Sequence, residues 1–340
     1  MRFLKKTFRF LLILIALLAL VYFLGPRVEK PELNPDLPEL TTDLLQLENE
    51  INSQEESNEK VKIDNQSTIV WFDSIPKKTK YSFVYFHGWS ASHEEGAPLH
   101  RQMAKRYGAN LYLPRLAGHG LNEGEPMLNL TATDYLNSAK RALAVAKTIG
   151  EKVIVMGTST GGTIGLWLAS EHPDIEALLL YSPNVEIYDS SSKLLSGPWG
   201  LQLVRLVQGG DYFSFKADSI KRQYWTTKYR VEALTHLQAL IDDTMNEDVF
   251  GAIKQPVFMG YYYRDEENQD KVVSVSAMLD MYGKLGTKNT LKSKQAFANV
   301  NDHVMTSHIT SKDFESVKNR TIEYLEATLS LKPIKKEIQL

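Results

Sequence analysis

Between about residues 67 and 329, short apolar β-prone runs take turns with helical stretches, and no other feature restricts the fold of this chain so strongly. Successive strands separated by helices require crossover connections, so they pair in parallel and form a mostly parallel sheet with helices on its faces, an α/β architecture. The strands are expected at 67–72, 81–86, 110–113, 152–156, 175–181, 255–262 and 293–297. Helices are expected at about 97–107, at 160–170, at 274–282 and, closing the chain, at 313–329. Another runs from Thr131 or Thr133 as N-cap to Gly150, with Tyr135, Leu136, Ala139, Ala142, Leu143 and Ala146 on one stripe. From Pro183 to about Lys254 the rhythm breaks into helical segments rich in aromatic and basic residues, read as an inserted cap at about 184–254. A chain of 340 residues that is 43% hydrophobic can bury one core of about 250 residues, so 66–330 is read as one domain.

The ends differ in character. Arg2, Lys5, Lys6 and Arg9 precede an uncharged apolar run over 10–24, which should enter a bilayer. The sequence Val21-Tyr22-Phe23-Leu24-Gly25-Pro26-Arg27 after it lacks a small-x-small cleavage signature. Residues 1–25 therefore read as an uncleaved membrane anchor, its basic end cytoplasmic and the domain on the other side. A cleaved signal segment, giving a secreted or periplasmic protein, stays open. Residues 26–65, with Pro31, Pro35 and Pro38 and an acidic stretch over 48–59, read as a polar spacer outside the core, and 331–340 as a tail.

Composition excludes several chemistries. A net charge of −2 gives no global attraction to nucleic acid or anionic lipid. Without cysteine there is no thiol nucleophile, disulfide or cysteine-ligated metal. The eight histidines are scattered without a His-x-x-x-His pair, so no metal and no cofactor is expected.

What remains is serine chemistry. Gly157-Thr158-Ser159-Thr160-Gly161 fits G-x-S-x-G and sits directly between an expected strand and an expected helix, the setting of a nucleophile elbow. A serine hydroxyl is a weak nucleophile at neutral pH and needs a base to take its proton. In such folds the acid and then the histidine follow the serine along the chain. His303 lies in the loop after the last strand, with His308 as its rival a turn further on. For the acid, Arg264-Asp265-Glu266-Glu267-Asn268-Gln269-Asp270 offers four carboxylates, of which Glu266 and Glu267 read as a solvated loop. Asp270 is preferred, because Lys271-Val272-Val273 leads into the next helix as an Asp-x-Val-Val segment does in many hydrolases. Asp265, nearer the strand end, is the alternative. An oxyanion hole would use the N–H of Thr160 and, after the strand ending in His87-Gly88, the N–H of Trp89.

Taken together, His87-Gly88-Trp89, Gly118-His119-Gly120, the Ser159 elbow, Asp270 and His303 resemble α/β-hydrolases of the monoacylglycerol-lipase and carboxylesterase kind over about residues 67–329. The resemblance implies an eight-stranded, mostly parallel sheet, a helical cap, a structural role for His119, and hydrolysis of an ester or lipid through an acyl-enzyme. A peptidase, thioesterase or other acyl hydrolase would use the same triad. A reading from another class is an inactive, membrane-tethered binding module.

Overall fold

The computed structural model describes residues 2–334. Its first element, helix α1 (Arg2–Phe23), contains a 19-residue stretch long and apolar enough to cross a membrane, with no part of it buried against the rest of the chain. Helix α2 (Leu44–Glu56) opens where the Asp43 carboxylate accepts the N–H groups of Leu45 and Gln46. Here the expectation of a polar spacer fails. Leu47 and Ile51, one turn apart, face the same way and are buried in the main core, and that narrow stripe suffices to dock an otherwise polar helix. Behind them Glu55 accepts from Arg115 at 2.7 Å and from the Ser67 hydroxyl at 2.8 Å. Leu47→Ala is expected to lower the unfolding free energy by about 3 kcal/mol in urea titrations, the range for an aliphatic core truncation; a polar spacer would lose nothing.

The sheet follows. Strands β1 (Thr68–Val70), β2 (Thr79–Phe86), β3 (Asn110–Leu113), β4 (Gly150–Thr158) and β5 (Ala177–Tyr181) are joined through α3 (Leu99–Tyr107), α4 (Ala132–Ile149) and α5 (Thr160–Glu171). Thr131 is the N-cap of α4, completing a capping box with Asp134. Between β5 and the next sheet strand lie α6 (Gly200–Gln208), β6 (Tyr212–Ser214), α7 (Ser219–Tyr224), β7 (Lys228–Arg230), α8 (Glu232–Thr244) and α9 (Glu247–Ala252). The last elements are β8 (Val257–Tyr262), α10 (Val275–Lys284), β9 (Lys292–Phe297) and α11 (Phe314–Thr328).

The order is β1-β3-β2-β4-β5-β8-β9, all pairs parallel except β1 with β3. Among the described residues the sheet thus has seven strands, one fewer than the resemblance implied. Ahead of β1, the polar residues 57–67 bond instead to a loop and to the cap, as in Lys62 N–H to Gly120 O at 2.9 Å and Asn65 Nδ2 to Gln223 O at 3.2 Å, and do not extend the edge. Nor is the cap wholly helical. Gly209, with φ +69°, ends α6, and the aromatic, alternating segments that follow pair as the antiparallel β6–β7 ribbon, with the Phe213 and Tyr229 rings 5.4 Å apart.

Because side chains alternate across a strand, β4 supplies both faces of the core. Val153 and Val155 pack with α4 and α5, while Ile154 and Met156 pack with α3 and α11. After α11, Leu331 is buried and Ile334 N–H donates to Arg106 O at 2.9 Å, so the start of the expected tail is held to the domain; residues 335–340 lie outside the described residues.

Candidate active site

Strand β4 and helix α5 meet at Ser159, whose backbone takes φ +54°, ψ −123°. A non-glycine residue there stores roughly 1–3 kcal/mol and persists only where its surroundings dictate it. They do so here. Ser159 N–H donates to Tyr181 O at 3.0 Å, and Ser159 O accepts from Gly162, Thr163 and Asn184 N–H at 2.8, 3.2 and 2.9 Å. The turn is tight enough that a Cβ on Gly161 would stand 1.9 Å from Phe86 O. Ser159 is the N-cap of α5, and its side chain makes no capping hydrogen bond.

Two loops at the same end of the sheet carry the partners. Asp270 follows β8 and is 1% exposed; its Oδ1 accepts the N–H groups of Val272 and Val273 at 2.9 and 3.1 Å. Its Oδ2 lies 2.7 Å from His303 Nδ1, in the loop after β9. Burial pushes the Asp270 carboxyl up, but the His303 ring and the two N–H groups outweigh it and hold the group below the usual carboxylate value. For His303, burial works downward, and the Asp270 and Glu95 carboxylates outweigh it and raise the ring above its usual 6.5. An ionised carboxylate only accepts, so His303 Nδ1 carries the hydrogen and Nε2 is left as the lone-pair nitrogen. That Nε2 is buried with no hydrogen-bond partner among the described residues, the Ser159 hydroxyl included. Catalytic hydrogen bonds are commonly long in an empty site and tighten with substrate.

The rival assignments are placed elsewhere. Asp265 is exposed and accepts Glu267 and Asn268 N–H at 3.0 and 2.8 Å, capping its own turn. Exposed His308 has its Nδ1 3.1 Å from Ala97 O and, among the described residues, no carboxylate within salt-bridge distance.

Gly88 brings the loop after β2 against the elbow: a Cβ on it would lie 3.0 Å from Ser159 Cβ. Neither Trp89 N–H nor Thr160 N–H is engaged in a hydrogen bond among the described residues. The Trp89 ring packs edge-on against His119 and Tyr135, with centroids 5.4 and 5.2 Å away. His87 Nε2 accepts Leu116 N–H at 3.2 Å, and His119 Nδ1 lies 2.7 Å from Ala117 O. Burial lowers both histidines, His119 to about 4, so both stay neutral and serve to shape the loops.

Two residues near this site carry no signal in the sequence. Trp225, after α7, is 4% exposed and packs with Ala91 and Val304, closing the cap over the loops of Trp89 and His303. Thr226 N–H adds a 2.7 Å bond to Ser90 O. Glu95 is 2% exposed within Ser92-His93-Glu94-Glu95-Gly96, a run that reads as ordinary solvated polarity.

The profile of a family described as serine aminopeptidase, S33 matches residues 77–283, more than half of the chain. Over 101 residues the chain is 35% identical to a thermostable monoacylglycerol lipase of Bacillus sp. (strain H-257), an alignment covering 30% of this chain and 40% of that enzyme's length. A solved structure from work on the metagenome-derived lipolytic enzymes LipS and LipT superposes with TM-score 0.63 at 19% identity, covering 78% of this chain and 99% of that one. The monoacylglycerol lipase of Paleococcus ferrophilus superposes with TM-score 0.57 at 15% identity, covering 76% and 97%. At such identities the two superpositions establish a shared fold.

Proposed function

Because this chain belongs to the serine aminopeptidase S33 family within the α/β-hydrolase superfamily, we propose that it is a serine hydrolase cleaving carboxylic esters, monoacylglycerol-like lipids among them. In this reading Ser159 Oγ attacks the acyl carbonyl while His303 Nε2 takes its proton, and buried Asp270 holds the ring and stabilises the imidazolium. The N–H groups of Trp89 and Thr160 receive the oxyanion, the latter at the positive end of α5. His303 then protonates the leaving alcohol, and water releases the acid from the acyl-enzyme. The observation that carries the proposal is the 2.7 Å His303–Asp270 pair with Nε2 left unpartnered.

The choice of ester over amide is supported by the named lipases and lipolytic enzymes among the relatives. The family description favours a second reading, cleavage of the N-terminal residue of a peptide. Full-length protein in detergent is expected to turn over p-nitrophenyl butyrate, p-nitrophenyl decanoate and a monoacylglycerol well above any aminoacyl p-nitroanilide. Preference for the anilide would transfer the assignment to the peptidase reading, and inertness toward every member together with a fluorophosphonate probe would defeat both.

We further propose that the chain sits in a membrane through α1 with its domain on the non-cytoplasmic side, as Arg2, Lys5, Lys6 and Arg9 ahead of the apolar run would orient it. A contact between α1 and the cap supports an apolar substrate arriving from the bilayer. Trp199 Nε1–H donates to Val21 O at 3.2 Å, and on the next helix Leu206 and Val207 are 79% and 80% exposed. Replacing Leu206 and Val207 together with aspartate should raise KM for a decanoyl ester in phosphatidylcholine vesicles about tenfold, or about 1.4 kcal/mol, and leave hydrolysis of soluble p-nitrophenyl acetate unchanged. Equal effects on the two substrates would count against a bilayer-facing cap.

A further inference from the structure

Beneath Ser159 a set of fully buried polar side chains joins elements that the catalytic reading needs held together. The Tyr85 hydroxyl, on β2, lies 3.1 Å from Glu95 Oε2 and 2.9 Å from Thr158 Oγ1, at the end of β4. Thr158 Oγ1 lies 3.3 Å from Thr306 Oγ1, three residues beyond His303, and the Thr306 hydroxyl donates to Glu95 O at 3.0 Å. The circuit therefore closes on Glu95. From it one further bond leaves: Gly88 N–H donates to Glu95 Oε2 at 2.6 Å. Tyr85, Glu95, Thr158 and Thr306 are each 2% exposed or less.

Resting on the serine-hydrolase reading above, we propose that Glu95 is a positioning residue. It ties the Ser159 elbow, the His303 loop and the Gly88–Trp89 loop into one arrangement and presents a carboxylate to His303. Each tie is specific. Thr158 is the residue before the nucleophile, Thr306 belongs to the loop that carries His303, and the Gly88 N–H bond fixes the peptide that precedes Trp89 N–H. A buried polar network of this kind is worth having only when its members are satisfied, and it then holds a unique geometry.

The contacts around Glu95 suit an accepting carboxylate: Gly88 N–H and the Tyr85 hydroxyl both donate to its Oε2. Burial pushes the Glu95 carboxyl up to about 7, against the Gly88 N–H bond, His303, Tyr85 and Lys221 of α7, which favour its charge. The phenol of Tyr135 on α4 also feels this charge. His303 in turn faces Asp270, Glu95 and Asp302, all of which favour its protonated form.

The test uses the full-length chain with p-nitrophenyl butyrate. Glu95→Gln retains an acceptor for Gly88 N–H and for Tyr85 but removes the charge. It is expected to fold, as judged by circular dichroism, to lower kcat about tenfold with KM changed less than twofold, and to move the acid limb of kcat/KM to lower pH by about half a unit. A limb that stays in place in folded Glu95→Gln overturns the proposal, whatever kcat does, because a merely structural residue would behave so. Tyr85→Phe opens the circuit while leaving the Glu95 carboxyl in place and should lower kcat at least threefold with KM unmoved; an unaltered kcat there overturns the proposal independently. Failure of the underlying reading is separable, since it would show as a wild type that neither turns over the ester nor reacts with a fluorophosphonate.

Discussion

Replacing Ser159 with alanine is expected to lower kcat toward p-nitrophenyl butyrate by roughly a millionfold, the scale seen when a triad nucleophile is removed from a serine hydrolase, and to abolish fluorophosphonate labelling. No neighbouring hydroxyl can substitute. Thr158 Oγ1 is committed to Tyr85 and Thr306, and Thr160 Oγ1 is buried away from any partner. The fold should survive, because the strained φ of +54° is imposed by the Tyr181, Gly162, Thr163 and Asn184 bonds to the Ser159 backbone, none of which uses the side chain. Thermal unfolding within a few degrees of wild type would therefore accompany the loss of turnover. Ester hydrolysis or probe labelling that persists in folded Ser159→Ala would remove Ser159 from the mechanism and the elbow argument with it.

How much of this could be read from the residues follows from what kind of force fixes each part. The sheet was legible because alternating burial leaves a period-two or continuous apolar signal, as in Val153-Ile154-Val155-Met156, whose side chains go to opposite cores. The elbow was legible because only small residues permit its close approach, and Gly161 declares that requirement. Helix α2 was not, since a docking stripe of Leu47 and Ile51 is too narrow to stand out from thirteen mostly polar residues. The β6–β7 ribbon was hidden for a related reason: three-residue strands carry too short a pattern to distinguish from aromatic helix. Glu95 and Trp225 were hidden because their importance comes from tertiary placement. A glutamate beside another glutamate gives no hint that one is buried under Ser159, and a cap tryptophan reads equally well as cap core. For the acid of the proposed triad, the segment 264–270 offered candidates that chemistry alone could not separate. They differ in burial, which is what the proposal rests on: Asp270 is turned inward by the Val272 and Val273 N–H groups, while Asp265 closes its own exposed turn.

Asp270→Asn is expected to lower kcat about 10⁴-fold, the loss that follows when the buried acid of such a triad becomes an amide. The reason lies in hydrogen placement. Asparagine Oδ1 can still accept from Val272 and Val273, which leaves its NH₂ facing His303 Nδ1. A donor at that position forces Nδ1 to accept, the ring hydrogen moves to Nε2, and the nitrogen that should receive the Ser159 proton no longer has a lone pair to offer. The pH dependence has a definite sign. His303 must be neutral to act as base and is held above 6.5, so wild-type kcat/KM falls as pH drops through that raised value. Removing the Asp270 charge lowers the His303 pKa, so the acid limb moves to lower pH even as the plateau collapses. Stability follows its own rule. Asp270 is depressed in the folded chain, so its contribution is present above the ordinary carboxylate range and is lost as pH falls through the depressed value. Asp265→Asn and His308→Ala, both at exposed positions outside the Asp270–His303 pair, should leave kcat within about twofold of wild type, since exposed substitutions of this kind change little. A large loss in Asp265→Asn beside near-normal Asp270→Asn would reverse the assignment of the acid, because two carboxylates cannot both determine which nitrogen of one imidazole carries the hydrogen.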